Sequence, residues 1–342
     1  MGQVGRLRAL TRAPSGRHTN LKLLVTLLLT FATGVGSVAT GSERGRWIVI
    51  GHGVAALVVV LLVPWKTRVV RAGLPHHPYA RWPSLLLAAL TLVALGLGLG
   101  YSTGLVRSIG GTEGLWWHIA VALTLVPLLL WHLVARWVRP RRTDLSRRVV
   151  LRAGVLGLVG GALYGTLVLL PLPGSSRRFT GSYEVATDNP SAMPNVIWLN
   201  DTVPLIALED WRLTVGEVSL GMAELRASTA AETWRATLDC TSGWYSHQSW
   251  TGVPLTSLVR DVGEARSLYV HSATGYWVRL PVSDLDSLLL AWEVGGRPLS
   301  PGHGHPLRLV APGRRGYWWV KWVDRIELQD TPWWWQPPFP VT

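Results

Sequence analysis

The chain has 342 residues and a formal net charge of +13, yet only 15% of its residues are charged and 48% are hydrophobic. This length predicts about two domains. An apolar composition with charge confined to a few segments is typical of a membrane protein. The basic excess does not indicate nucleic-acid binding, because the arginines lie in loops between apolar runs.

Five apolar stretches fill the first half of the chain. About 20 apolar residues cross a bilayer as a helix. The stretches that meet this length are 21–41, 47–65, 83–101, 115–138 and 150–170. Tryptophans stand at several of their ends, as in the aromatic belts of membrane proteins. The sequence therefore predicts an all-α transmembrane bundle of five helices over residues 21–171.

The basic residues predict the orientation of these spans. Four arginines precede the first span, basic residues follow the second, and seven arginines follow the fourth. The segments 42–46 and 102–114 are nearly neutral. Because basic loops stay inside, residues 1–20 are predicted to be cytoplasmic. The region after the fifth span is then extracytoplasmic, in a multi-pass protein of the cell membrane.

The fifth span opens with the letters SRRVVLR, starting at Ser146. This opening resembles a twin-arginine export signal in an internal position. Such signals export folded proteins, and a cofactor inserted before export is a frequent reason. The alternative is that the arginines only set the orientation, while Gly157, Gly161 and Gly165 form a helix-packing face.

Three histidines, His52, His118 and His132, lie within the predicted spans. An ionisable side chain at membrane depth indicates function. His118 and His132 are 14 residues apart, which places them within about 40° of one helix face. That spacing resembles the fourth helix of membrane b-type cytochromes. His52 and His118 lie at similar depth near the outer face, so they are the predicted axial ligands of one haem b.

A second haem at His132 would lack a partner, because Lys66 stands fourteen residues after His52. Gly51 and Gly53 flank His52 and leave room for a flat macrocycle. Two alternatives stay open. The domain binds two haems, or it is a plain anchor whose histidines are interfacial or hydrogen-bonded.

A linker over residues 172–195 leads to a globular domain over 196–342. The predicted strands are 211–218, 232–239, 307–312 and 319–328, and the predicted short helices are 222–226 and 254–262. Gly295-Gly296 predicts a hairpin turn between 289–294 and the residues after 297. The sequence contains no GxGxxG, P-loop, paired metal cysteines or HExxH, which excludes Rossmann and structural zinc domains.

Two blocks of this domain stand out. The first, CTSGWYSHQSWTGVPL, runs from Cys240 to Leu255 and holds the chain's single cysteine. The second begins HGHPLRLVAPG at His303 and ends VKW at Trp322. A lone cysteine cannot close an intramolecular disulfide. Cys240 is therefore a small buried residue, a free thiol or a ligand.

The two blocks resemble the molybdopterin-binding domain of the sulfite oxidase family, over residues 183–328. The spacing of the first block is similar to that in the catalytic subunits of periplasmic methionine sulfoxide reductases. The resemblance implies an α+β fold, a molybdenum–molybdopterin cofactor and Cys240 as the ligand of molybdenum. A soft thiolate suits such a metal.

The resemblance also implies which residues hold the cofactor. Arg308 and Lys321 match positions that donate to its phosphate and pterin. Arg314 and Arg315 either supply further donors or lie in an exposed turn. The remaining predicted contacts are His303, Val320, Thr274, Tyr183 and Glu184.

This sequence departs from sulfite oxidases just after the cysteine. Those enzymes carry adjacent arginines there for a doubly charged substrate, whereas this chain has Gly243, Trp244, Tyr245 and Ser246. Trp244 and Tyr245 are predicted to face a neutral or amphipathic substrate. The nearest downstream candidate cation is His247.

We therefore expect a membrane-anchored, outward-facing molybdenum oxidoreductase that transfers an oxygen atom to or from a small-molecule substrate. Reduction of an S-oxide is the first expectation and oxidation of sulfite the second. The rival from another class is a non-catalytic cofactor-binding or anchoring module. The expected partners are the lipid bilayer and either the quinone pool or another redox carrier.

Overall fold

The computed structural model describes residues 16–73, 81–137, 139, 141–197, 201–259 and 261–337. The chain divides into two compact units. The first unit comprises Met1–Ser37 and Arg44–Gly181, and the second comprises Val38–Glu43 and Ser182–Thr342.

The first unit is built from five long helices. They are α1 (Gly16–Ala39), α2 (Arg46–Gly73), α3 (Arg81–Thr103), α4 (Gly114–Ala135) and α5 (Arg147–Leu169). Each is long and apolar enough to cross a membrane. Large apolar side chains point away from the unit, such as Val134 and Leu158, which are 79% and 76% exposed. A two-stranded hairpin, β1 (Ser108–Ile109) and β2 (Thr112–Glu113), joins α3 to α4.

Glycine lets α5 pack closely on α2, but not at the predicted positions. A Cβ atom at Gly160 would lie 2.8 Å from a methyl carbon of Val58. At Gly157, Gly161 and Gly165 it would meet no described atom within 4 Å. Within the described part of this chain these three glycines therefore form no close contact, because the helix turns Gly160 toward α2 instead. Arg147, the first residue of the twin-arginine pair, begins α5.

The second unit contains two sheets and a five-residue helix, α6 (Met222–Arg226). Its strands are β3 (Tyr183–Glu184), β4 (Leu213–Val215), β5 (Val218–Leu220), β6 (Glu232–Asp239), β7 (Trp244–Pro254), β8 (Ser267–Ser272), β9 (Trp277–Pro281), β10 (Leu289–Val294), β11 (Arg297–Pro298), β12 (Arg308–Val310) and β13 (Val323–Gln329). One sheet has the order β11-β10-β7-β3, with β12 paired to β10 and β6 paired to β7. The other has the order β5-β4-β13-β8-β9.

Strand β7 is the centre of the first sheet, and a glycine lets its neighbour approach. A Cβ atom at Gly252 would lie 2.0 Å from the carbonyl oxygen of Leu290 on β10. No side chain fits at that distance, and this steric limit explains why Gly252 stands in the first sequence block. Trp250, two residues earlier on β7, is fully buried in the core.

Several predicted elements of the second unit are confirmed. The strand Glu232–Asp239, the helix Met222–Arg226 and the hairpin around Gly295-Gly296 occur as expected. The predicted strand 307–312 is shorter, as β12, and the predicted strand 319–328 begins later, as β13.

Two predicted elements are wrong. Residues 211–218 are not one strand, because Gly216 has a φ of +58° and turns the chain between β4 and β5. The described residues of the range 254–262 form a single 3-10 turn, Leu255–Ser257, rather than a helix. Strands β7, β8 and β9 were not predicted. In the described part of this unit α6 is the only α-helix, so the fold is richer in strands than the expected α+β arrangement.

The tryptophan-rich C-terminal segment packs on β9. The backbone N–H of Arg279 donates to Gln336 Oε1 at 2.9 Å, and Gln336 Nε2 donates to the Arg279 carbonyl at 2.8 Å. Arg314 lies over the ring of Trp333 at 5.5 Å. Trp334 and Trp335 remain exposed.

Candidate active site

Cys240 lies in the tight turn between β6 and β7, the two longest paired strands of the first sheet. Its N–H donates to the Trp244 carbonyl at 2.8 Å, and the Gly243 N–H donates back to the Cys240 carbonyl at 3.2 Å. Gly243 adopts a φ of +99°, which glycine accepts without strain. The thiol is buried, and its sulfur lies 3.1 Å from Ser242 Oγ. The sheet therefore fixes the position of the thiol.

A buried ion pair stabilises this turn. Arg315 Nη1 donates to Asp239 Oδ1 at 2.8 Å and to Ser182 Oγ at 3.2 Å, and Ser182 Oγ donates to the same carboxylate oxygen at 2.6 Å. Arg315 Nη2 donates to the Cys240 carbonyl at 3.1 Å. The side chains of Arg315 and Asp239 are 2% and 3% exposed.

This network was not predicted. The alternative that placed Arg315 in an exposed turn is wrong. Arg314 is half-buried and pairs with Asp284 at 2.5 Å. The position of Asp239 directly before the cysteine, at the end of a strand, was the available signal.

Arg308 is buried beside two tryptophan rings that contact each other. Its guanidinium carbon lies 5.3 Å from the ring centre of Trp250 and 5.7 Å from that of Trp319. Nη1 donates to the His303 carbonyl at 3.1 Å. Burial lowers the pKa of Arg308 to about 10, and the Cys240 charge acts in the opposite direction. Arg308 and the thiol are therefore electrostatically coupled.

Lys321 belongs to the same cluster. Its ammonium group donates to Asn195 Oδ1 at 3.1 Å, to the Val196 carbonyl at 2.9 Å and to the Gly302 carbonyl at 2.5 Å. Burial, with Arg308 beside it, lowers the pKa of Lys321 to about 7. The charge of Cys240 again opposes this shift.

His303 and Val320 complete the cluster of the second block. Burial, together with Arg308 and Lys321, lowers the pKa of His303 to about 4, so this imidazole is neutral. Its Nδ1 lies 2.7 Å from Ser300 Oγ. Val320 is fully buried, and its carbonyl accepts from the Leu309 N–H at 2.8 Å, which ties the cluster to β12.

Unsatisfied polar atoms indicate that this cluster is built for a bound group. Within the described ranges, Arg308 Nε and Trp244 Nε1 are buried and have no hydrogen-bond partner. Buried polar groups without partners are rare in stable folds and are costly. An anionic group with several acceptor oxygens would satisfy two donors here, beside a thiol able to bind a soft metal. The residues present thus fit a molybdenum–molybdopterin cofactor.

Thr274 lies in the turn between β8 and β9. Its hydroxyl donates to Asp201 Oδ2 at 3.0 Å, and the charge of Asp201 acts on Lys321. Thr274 is thus linked to the cluster through Asp201, a residue that the sequence analysis missed. Asn195, which accepts from Lys321, was missed as well.

Tyr183 and Glu184 lie on the other side of the turn. Strand β3 pairs in parallel with β7, so that Tyr183 is opposite Trp244 and Glu184 is opposite Tyr245. The Tyr245 hydroxyl is 3.5 Å from Glu184 Oε2. Trp244 and Tyr245 are both buried, and only a small part of either could face a substrate.

Two of the three helix histidines meet in the first unit. The ring centres of His52 and His118 are 6.1 Å apart, and the ring planes cross at 81°. His52 Nδ1 lies 2.9 Å from the Thr30 carbonyl, and His118 Nδ1 lies 2.8 Å from the Ala94 carbonyl. Their similar predicted depth is therefore consistent with the structure.

His132 and Gly53 have surroundings that differ from those of the His52–His118 pair. His132 Nδ1 is buried without a hydrogen-bond partner in the part of the chain that the structure describes. Gly53 does not leave open room beside His52, because a Cβ atom there would lie 2.5 Å from the Tyr164 ring. That prediction is wrong for Gly53.

The lowered pKa of Lys321 predicts a pH-dependent stability of the cofactor-free protein. The group titrates at about 7 when folded and at 10.5 ordinarily, so the unfolded chain binds the proton more tightly. The free-energy cost of burying the charged ammonium group is present in full below pH 7. It disappears as the pH rises from about 7 to 10.5, so the free energy of unfolding increases over this range. We expect Lys321→Met to flatten this rise in chemical denaturation curves. An unchanged slope in the variant would contradict the assignment.

Known proteins resemble the region of the chain that contains this cluster. Residues 200–335 match the family described as oxidoreductase molybdopterin binding domain. Nitrate reductase [NADPH] of Mycosarcoma maydis is 56% identical over 43 residues, which are 13% of this chain and 4% of that protein. The uncharacterized oxidoreductase YuiH of Bacillus subtilis (strain 168) is 32% identical over 109 residues, 29% of this chain and 54% of that protein.

Mitochondrial sulfite oxidase of Rattus norvegicus is 30% identical over 108 residues, 27% of this chain and 20% of that protein. The chain spans about half or less of the length of each of these relatives. The similarity thus covers only part of each protein, and it leaves the substrate to be argued from the site.

Proposed function

We propose a substrate class and an electron route for this chain, which is an oxidoreductase with a molybdopterin-binding domain. The reaction is reduction of a small S-oxide to a thioether, with uptake of two electrons and two protons and release of water. Cys240 binds the metal, and Arg308, Lys321 and His303 bind the pterin and its phosphate. When bound, the molybdenum cofactor supplies the two-electron oxygen-atom chemistry.

The single observation that carries the choice of substrate is the charge beside the cysteine turn. Residues 241–246 contain no lysine or arginine. The carboxylate of Glu184 lies 3.5 Å from the Tyr245 hydroxyl. A carboxylate repels a doubly charged anion and tolerates a neutral S-oxide.

Oxidation of sulfite is the second candidate. It is favoured by the similarity to a protein named as a sulfite oxidase. The electrons would then leave the site, whereas S-oxide reduction consumes them.

A metal analysis and a substrate screen test this proposal. The full chain, purified in detergent, is expected to contain molybdenum and to reduce neutral sulfoxides with a reduced viologen as donor. Oxidation of sulfite with ferricyanide should be much slower. Faster sulfite oxidation than sulfoxide reduction would favour the second candidate, and a protein that purifies without molybdenum would favour a non-catalytic module.

We propose further that the five apolar helices span the cell membrane and bind one haem b between His52 and His118. The molybdopterin-binding domain is then extracytoplasmic. Both imidazoles hold a backbone carbonyl through Nδ1, which leaves Nε2 available for a metal. The haem, when bound, carries single electrons from the quinone pool or another redox carrier.

Histidine variants test the haem. His52→Ala or His118→Ala is expected to remove the visible spectrum of a low-spin haem with two imidazole ligands. His132→Ala should leave the spectrum unchanged, because His132 Nδ1 has no hydrogen bond to a backbone carbonyl among the described residues. Viologen-driven activity should survive all three changes. Loss of the spectrum in His132→Ala alone, with retention in His52→Ala, would overturn this ligand pair.

The twin-arginine hypothesis predicts an export defect. Arg147→Lys together with Arg148→Lys keeps every charge but removes the guanidinium pair at the start of α5. We expect the second unit to stay inside the cell, which protease treatment of spheroplasts would detect as protection. The matched control is Arg141→Lys with Arg142→Lys, which should export normally. An exported double variant at 147 and 148 would mean that the pair only sets the orientation.

A further inference from the structure

The first histidine site is formed by the helix pair α1 and α2. Helix α1 supplies the carbonyl of Thr30, which lies 2.9 Å from His52 Nδ1. One turn later it supplies Gly34, where a Cβ atom would lie 3.2 Å from Cε1 of His52. A carbonyl and a glycine of the preceding helix thus enclose one edge of the imidazole.

The second histidine site repeats this arrangement in the helix pair α3 and α4. Helix α3 supplies the carbonyl of Ala94, which lies 2.8 Å from His118 Nδ1. Gly98 follows four residues later, as Gly34 follows Thr30, and a Cβ atom there would lie 3.1 Å from Cε1 of His118. The same brace of one carbonyl and one glycine therefore occurs twice, once for each imidazole.

The brace fixes both the tautomer and the plane of each ring. A carbonyl accepts only from a protonated Nδ1, so Nε2 keeps its lone pair. The missing side chain of the glycine lets the ring edge lie against the helix. Rotation of the ring would break the hydrogen bond and move the ring away from this close contact.

The two fixed rings fit the two axial positions of one metal. Imidazole–metal bonds are about 2 Å long on each side. Together with the distance from each bound nitrogen to its own ring centre, they would separate the two ring centres by about 6 Å. The observed separation is 6.1 Å, and the ring planes cross at 81°. A pair of freely rotating imidazoles would have no fixed angle.

We infer that Thr30, Gly34, Ala94 and Gly98 are positioning residues that hold the two axial imidazoles of the haem in nearly perpendicular planes. This inference rests on the proposed haem site and adds its geometry. Each imidazole interacts with the iron d orbital that lies across its plane. Perpendicular rings act on two different orbitals and leave their energies nearly equal, whereas parallel rings separate them. Nearly equal energies give a strongly anisotropic low-spin EPR signal with a high largest g value.

Low-temperature EPR of the oxidised full chain in detergent tests this geometry, and near-infrared magnetic circular dichroism verifies two imidazole ligands. We expect a single strongly anisotropic signal in the wild type. Gly98→Ala and Gly34→Ala, made separately, should each let one ring leave its plane. The largest g value should then fall toward that of parallel rings while both imidazoles stay bound.

Gly96→Ala is the matched control, because it lies on the same helix α3 and a Cβ atom there meets no described atom within 4 Å. It should leave the spectrum unchanged. A wild-type signal of the parallel-ring type, with two imidazoles bound, would overturn the inference and leave the haem proposal standing. An unchanged g value in both Gly34→Ala and Gly98→Ala would overturn the positioning role. A protein without haem absorbance would overturn both the haem site and the inference, independently of its molybdenum.

Discussion

Replacing Cys240 with serine is expected to abolish turnover while the second unit keeps its fold. The thiol is the only one in the chain, and it is coupled electrostatically to Arg308 and Lys321 at the cluster that fits the cofactor. An alcohol is a far poorer ligand for a soft metal than a thiolate. The change is nearly isosteric, so the turn between β6 and β7 should survive. The measurement is viologen-driven sulfoxide reduction per mole of purified protein.

Ser242→Ala serves as the control for this experiment. It removes the hydroxyl 3.1 Å from the Cys240 sulfur but leaves the thiol itself. We expect turnover within a few-fold of wild type. Retained activity in Cys240→Ser at normal expression would end the assignment of the thiol as a ligand.

Replacing Arg315 with methionine is expected to destabilise the second unit by about 3–5 kcal/mol, the usual cost of leaving one charge of a buried pair alone. The carboxylate of Asp239 would lose its ion pair with Arg315, and the Cys240 carbonyl would lose a donor. We expect a lower denaturation midpoint and a lower molybdenum content, because the turn that holds the thiol is no longer supported.

A double change separates the charge effect from simple loss of packing. Arg315→Met combined with Asp239→Leu removes both charges, and we expect it to recover most of the lost stability. Arg325→Met is the matched surface control, because Arg325 and its partner Glu327 are 47% and 38% exposed, and its effect should be below about 1 kcal/mol. A double variant as unstable as Arg315→Met would argue that the ion pair is not the cause.

Elements with a strong local signal could be predicted from the sequence. The five helices follow from uninterrupted apolar length, and the strand Glu232–Asp239 with its following cysteine was placed correctly. Strand β7 was missed because polar residues occupy its buried face. Ser246 and Gln248 are fully buried within it, so no alternation of polar and apolar residues remains.

The site could be predicted only for residues whose type and sequence block indicated a chemical role. Cys240, Arg308 and Lys321 came from the resemblance of two blocks. The partners of Arg315, in contrast, lie 76 and 133 residues away in the chain, and two arginines after Pro312-Gly313 have the local pattern of a surface turn. The glycines that brace the histidines were also missed, because they lie on the preceding helix rather than beside each histidine.

The location of Cys240 between the two longest paired strands has a consequence for the order of assembly. Its N–H is bonded to Trp244 across the turn, so this amide should exchange with solvent only when the β6–β7 ladder separates. Arg308 is closed off in the same core. A large cofactor that is bound by both residues is therefore expected to enter or leave only when the sheet opens. Loading then belongs to the interval before folding is complete, and an empty folded domain would stay empty for its lifetime.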